Sequence, residues 1–147
     1  GRKVGFEKGA TAFTVLDEMR KLDGELARSK NTDVAAQRDS LKRAVDGLAA
    51  ATQWVVDAFP KDPDAVAAVS VPYLKLWGTV AGGWLMARAA LVAESKLAAG
   101  EGDADFYRAK SVTARFYAGH ILPQSVALAG EVIHGASSVL ALSEAQF

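Results

Sequence analysis

The sequence predicts an all-α protein: an antiparallel up-down bundle of four long helices, one or two of them kinked or broken at proline. Three observations lead there. Apolar residues recur three and four apart over long runs, the spacing of one helix face. No stretch alternates apolar and polar residues as a half-buried strand does. Short clusters of proline, glycine, asparagine and aspartate separate the runs, and short turns between long helices favour antiparallel neighbours.

The first helix is expected from about Ala10 to Arg28, with Phe13, Leu16, Met19, Leu22 and Leu26 on its inner face and Asp17 paired with Lys21 outside. "SKNTD" breaks the pattern and supplies Asn31 or Thr32 as an N-cap. A second helix then runs from Asp33 to about Phe59, with its seam at Val34, Leu41, Val45, Leu48, Thr52, Val55 and Phe59, and Pro60 closes it. Asp62 before Pro63 reads as N-cap and first helical residue of the third helix, which extends to about Ala99 and stops at Gly100. Pro72 either separates a short helix ending near Ser70 from a new one or kinks a single helix. The fourth helix starts near Ala104 and carries Phe106, Tyr107, Val112, Phe116 and Ile121. Pro123 kinks or interrupts it before Val126, Leu128, Val132 and Ile133, and Gly135 ends it. A terminal turn is expected in "SSVLALSEAQF".

The 147 residues fit one domain, 1–147, long enough to bury a core without a metal or disulfide staple. Net charge is zero with both signs interspersed, so nothing marks a nucleic-acid or acidic-lipid partner. The absence of cysteine excludes disulfides, thiolate zinc sites and thiol nucleophiles, and fits a reducing, cytoplasmic setting. The first ten residues contain no apolar signal segment. The start at Gly1, without methionine, reads as a cut from a longer chain; removal of an initiator methionine ahead of glycine is the alternative.

"YLKLWGTVAGGWLMARAAL", Tyr73 to Leu91, is apolar enough to suggest a membrane span, yet residues 76–87 form its longest uncharged run, well short of the roughly 20 a span needs. Gly78 and Gly82 lie four apart on one face, each costing roughly 1 kcal/mol in helix propensity. Close approach of another helix to that bare backbone offsets the cost, with Trp77, Trp84, Leu85 and Leu91 filling the flanks.

Residues with chemical potential are sparse. His120 and His134, the two histidines, stand fourteen apart with no carboxylate or second histidine at ligand spacing. Glu101, Asp103 and Asp105 alternate like the start of a calcium loop. From Asp103, positions six and twelve are Arg108 and Ala114; from Glu101 they are Phe106 and Val112. The required glycine and glutamate are missing in both registers. Asp103 as a helix cap explains the acids more simply. Gly100 and Gly102 open a dinucleotide-like fingerprint that fails at Asp105 and follows a helix instead of a strand. Arg88, Arg108, Lys110 and Arg115 read as a solvated face before an anion site, with Arg88 placed to stack on Trp84. Phe106, Tyr107, Phe116 and Tyr117 read as core before pocket. No catalytic, cofactor-binding or metal residue is assigned.

Three stretches carry a family resemblance: "PYLKLWGTVAGGWLMARAAL" (Pro72–Leu91), "FYRAKSVTARFYAGHILPQ" (Phe106–Gln124) and "GASSVLALSEAQF" at the end. Over nearly the whole chain the sequence resembles the extra C-terminal, acetyl-CoA-dehydrogenase-like domain of the acyl-CoA dehydrogenase family, in the branch of the 3-methylmercaptopropionyl-CoA dehydrogenase type. "GRKV" (Gly1–Val4) is similar to the junction that follows the catalytic helical domain there, although "GFEKGA" replaces the usual glycine-rich turn. The resemblance implies a parent chain that binds FAD and dehydrogenates an acyl-CoA: a glutamate base takes the pro-R α-proton while hydride passes from the β-carbon to flavin. In such enzymes those groups lie upstream, and no position here matches them. The domain's implied role is to pack on the upstream catalytic domain, cover surface there and at a homodimer contact, and limit solvent access to the acyl pocket. The competing reading is a free-standing helical module that holds a partner helix or an acyl chain in the Gly78/Gly82 face.

Overall fold

A computed structural model describes residues 6–146, and among these the protein is all-α with no strand. The "GRKV" junction lies outside the described residues. After a tight turn at Phe6–Gly9, in which Glu7 and Lys8 take left-handed φ of 51° and 55°, the chain forms α1 (Ala10–Arg28), α2 (Thr32–Ala35), α3 (Arg38–Ala58), α4 (Pro63–Ala68), α5 (Ser70–Ala99) and α6 (Ala104–Phe116). A π-turn at Tyr117–Ile121 leads into α7 (Gln124–His134), followed by the single turn α8 (Ala136–Val139) and a 3₁₀ turn at Glu144–Gln146.

The first expected helix has the expected bounds, and Leu16, Met19, Leu22 and Leu26 are buried. Its surface pairs differ from expectation: Asp17 meets Arg20 and Lys21 meets Glu18, each three residues apart, so the Asp17–Lys21 pair does not form.

The second helix is interrupted at Ala36–Gln37. Neither residue is a helix breaker. The cause is the buried Gln37 side chain, whose amide donates to the Asp33 carbonyl at 3.0 Å. The Gln37 backbone N–H then bonds the Val34 carbonyl three residues back, at 3.2 Å, which tightens the turn and starts a new helix. Asn31 caps α2, its side chain accepting from the Asp33 N–H at 2.9 Å.

Asp62 and Pro63 occupy the cap and first position of α4 as the spacing requires, with Asp62 accepting from the Ala65 N–H at 2.9 Å. That helix ends at Ala68, and α5 begins at Ser70. Pro72 therefore sits in a first turn, where its missing N–H has no partner to lose. Gly100 ends α5 in the left-handed conformation (φ 66°), and the Glu101 N–H closes back on the Lys96 carbonyl at 3.0 Å.

One cluster of buried side chains joins these elements. Leu16, Leu26, Leu48, Leu76, Val80, Ala90 and Val132 are sealed from solvent. Through it α5 packs on α1, α3, α6 and α7, so the longest helix is the element the others share. A buried hydrogen bond from the Tyr73 hydroxyl to Thr52 Oγ1, 2.9 Å, fixes α5 against α3. By length and composition α5 is also long and apolar enough to cross a membrane, although its inner face is part of this core.

Candidate functional site

The glycine-rich part of α5 is where the chain departs most from ordinary helix packing. Gly78 is exposed, and a Cβ built there meets nothing within 4 Å; the expectation that it is pressed against a neighbour is wrong. The two adjacent glycines carry the close contact instead. A Cβ on Gly82 would run into the Tyr117 hydroxyl and lie 3.1 Å from Tyr117 Cζ, and one on Gly83 would lie 2.6 Å from Leu122 Cδ2. Side chains, not a neighbouring backbone, fill the space. Of the expected flanking residues, Trp77, Trp84 and Leu91 pack partly against the core, whereas Leu85 is 55% exposed.

The π-turn makes this contact possible. In a regular α-helix, residues five apart lie about 140° round from each other. Here the Leu122 N–H bonds the Tyr117 carbonyl, at 3.0 Å, in an i→i+5 closure that brings the two side chains toward one face. Pro123 is the reason for the widened turn. Its ring would clash with the carbonyl four residues back, and it offers no N–H of its own. The Gln124 side-chain amide donates to the His120 carbonyl at 3.1 Å, and Ser125 Oγ donates to the Leu122 carbonyl at 2.6 Å, so local side chains serve the disturbed ladder. Tyr117 donates its hydroxyl to the Thr79 carbonyl of α5 at 3.0 Å, and burial pushes its ionisation above the ordinary tyrosine range.

The other candidate residues are dispersed. His120 is exposed and stacks on Phe116, ring centroids 4.4 Å apart, while His134 is exposed at the end of α7. Asp103 caps α6, accepting from the Asp105 and Phe106 N–H groups at 2.9 and 3.3 Å; Glu101 pairs with Lys96, and Asp105 with Arg108 at 2.9 Å. Among the described residues no three His, Asp or Glu side chains gather as a metal site would require. The four cations likewise go to separate partners. Arg88 lies over the Trp84 ring at 4.9 Å, Lys110 over Phe106 at 5.1 Å, Arg108 on Asp105, and Arg115 on Asp33 at 2.6 Å. The aromatic quartet divides: Tyr107 and Tyr117 are half-buried, but Phe106 and Phe116 are more than half exposed, so the core reading fails for those two.

Two features went unassigned in the sequence. Glu94 reaches across to the α1–α2 loop, accepting from Ser29 Oγ at 2.6 Å and from the Lys30 and Asn31 N–H groups at 3.2 Å each. No local spacing signals this contact, because the partners are more than sixty residues apart. Between α1 and α3 lies a cavity of about 250 Å³ over Met19, Leu26, Leu41 and Val45. Its mouth is bordered by ion pairs, Arg38 on Asp23 at 2.8 Å and Lys42 on Asp46 at 2.7 Å, and Arg38 holds the Asp23 carboxyl below its ordinary range. Arg20, Asp23, Arg38, Lys42 and Asp46 all line the cavity.

Comparison with known proteins supplies the family. The family model described as "Acetyl-CoA dehydrogenase C-terminal like" matches residues 15–143. The chain is 35% identical over 145 residues to a 3-methylmercaptopropionyl-CoA dehydrogenase of Ruegeria pomeroyi (strain ATCC 700808 / DSM 15171 / DSS-3). That alignment takes in 97% of this chain and 24% of the relative, so the chain spans about a quarter of the relative's length. With nearly its whole length matched, the chain belongs to the acetyl-CoA dehydrogenase C-terminal-like family of the acyl-CoA dehydrogenases.

Proposed function

We propose that residues 1–147 form a single auxiliary domain at the C-terminal end of an FAD-dependent, cytoplasmic acyl-CoA dehydrogenase, with its helices arranged as an antiparallel up-down bundle. The domain packs on the catalytic part of the same chain and contributes no reacting group. The observation that carries this reading is the alignment: almost all of this chain matches one quarter of a longer dehydrogenase. The partners of several polar side chains support it: Asp103 caps a helix, Tyr117 holds the end of α6 to α5 through the Thr79 carbonyl, and Arg115 pairs with Asp33.

In this reading the parent binds FAD and the acyl-CoA through residues outside this chain, and the flavin accepts hydride there. The bundle covers catalytic-domain surface and the adjoining homodimer contact, and keeps water from the acyl pocket. The coding sequence upstream of Gly1 tests it directly. An open frame for a flavoenzyme's catalytic part is the expected result, and a frame for an unrelated protein overturns the reading.

A second reading, a free-standing module holding an acyl chain, draws on the open groove beside Gly78, bordered by Lys75, Thr79, Tyr117 and Leu128. Melting curves with added acyl-CoA or fatty acid separate the two. A ligand present at a hundred times its dissociation constant stabilises by about 2.7 kcal/mol, so an unmoved transition rejects the module.

A further inference from the structure

We infer that the outer face of α5 is the seam by which this domain holds a helix from the part of the parent chain outside residues 1–147. This rests on the docking reading above and names the surface. Helix α5 carries two apolar faces. Leu76, Val80, Ala87 and Ala90 lie in the core, at most 1% exposed. On the opposite side run Val71, Leu74, Gly78, Ala81, Leu85, Arg88 and Val92, spaced three and four apart in strict alternation. That is a heptad seam over three repeats, about 32 Å long at 1.5 Å per residue. Val71, Leu74, Leu85 and Val92 on it are 55–72% exposed, and Gly78 and Ala81 keep its middle shallow enough for close approach. The one charge in register, Arg88, is turned onto Trp84.

Among the described residues the other exposed apolar side chains do not form a seam of that length. Phe106 is covered in part by Lys110 and Tyr107, and Phe116 stacks on His120 with Val112 one turn before it. Val126 stands apart on α7, and Val139, Leu140 and Leu142 follow one another at the short C-terminal turns, so none spans more than about a turn or two of helix.

Two observations identify the occupant. The matched relative extends over about four times the length aligned here, so in such a chain the seam is tethered to a large neighbour at high effective concentration. Two cations of α5, Arg88 within the seam and Lys75 beside it, form no ion pair among the described residues, and the one carboxylate close to the seam, Glu25 of α1, stands at its Val92 end. A second copy packed antiparallel about the middle of the seam sets Lys75 beside the partner copy's equivalent of Arg88, and parallel packing sets like on like. An apolar helix edged with carboxylates, presented by the catalytic part, meets both demands.

The test uses the full-length chain. The domain has no cysteine, so Leu74→Cys, Leu85→Cys and Val92→Cys place single thiols on the seam, with Val112→Cys, Val126→Cys and Val139→Cys as comparators of similar exposure. Alkylation is followed by the mass of the peptide that carries each thiol. Seam thiols reacting about tenfold or more slowly than the comparators, at every protein concentration, is the expected result. Fast seam thiols with a slow comparator overturn the inference and leave docking standing through another face. Fast reaction at all six positions overturns both. Slow seam thiols that speed up on dilution assign the seam to a second copy and overturn the occupant named here.

Discussion

Tyr117 stands on Gly82: its ring occupies the space a Cβ would need, and its hydroxyl donates to the Thr79 carbonyl one turn away on α5. Leu122 stands on Gly83 in the same way, and the π-turn between them sets the spacing. The glycines of α5 therefore divide into two that make room and one that does not.

Substitution should show that division. Gly78→Ala is expected to stabilise the protein by about 0.5–1 kcal/mol, because it gains helix propensity and meets no neighbour. Gly83→Ala is expected to destabilise by about 1–3 kcal/mol, since Leu122 is buried and three of its atoms lie within 2.9 Å of the new carbon. Gly82→Ala falls between, displacing the tip of Tyr117 and its hydrogen bond. Urea unfolding of the three variants checks the order.

Tyr117 also sets a limit at high pH. Its folded ionisation is raised by burial, so the neutral donor contributes stability below the ordinary tyrosine range that is lost as pH rises through the raised value. Above about pH 10 the stability difference between wild type and Tyr117→Phe should shrink. A difference that stays constant to higher pH would mean that burial does not raise the Tyr117 ionisation.

Glu94→Gln should destabilise by about 1–3 kcal/mol, because the amide keeps one acceptor but turns donors toward Ser29, Lys30 and Asn31. Hydrogen exchange should rise first in the loop at residues 29–31. Loss spread evenly over α1 and α5 would instead assign Glu94 a general packing role.

At acid pH the Asp23–Arg38 pair gives a smaller signal. The Asp23 carboxyl is held low by the guanidinium's hydrogen bond, so its contribution is present above the ordinary carboxylate range and disappears as pH falls below about 4. The pair is well exposed to solvent, so the effect is small and weakened by salt. Wild type and Asp23→Asn should converge in melting temperature on acidification.

How much of this was legible beforehand depends on the range of the interaction. Local signals read well. The bounds of α1, the Asn31, Asp62 and Asp103 caps, the Gly100 stop and the restart beyond Pro63 all follow from residues within one turn of each other. The break at Gln37 was hidden because it depends on where a glutamine side chain turns, and glutamine ordinarily favours helix. The Gly82 and Gly83 contacts were half legible: the glycines announced a close approach, but the choice of face needed the π-turn, which only the bond between Leu122 and Tyr117 defines. The candidate chemistry was legible as a scatter, and His120, His134 and the acids of residues 101–105 each stand with a separate partner or in solvent. Phe106 and Phe116 misled, because aromatic residues at helical spacing usually mark a core and here they face outward.

The proposed division of labour, structure here and chemistry elsewhere, is tested most directly in the proposed parent dehydrogenase, by the rate of flavin reduction by acyl-CoA when it carries His120→Ala and His134→Ala together. These are the two histidines of the sequence, the residue type that most often serves as a general acid or base. A rate within about twofold of the wild type is expected, while a loss of about a hundredfold or more, the scale of a missing general acid or base, would put a catalytic group inside residues 1–147.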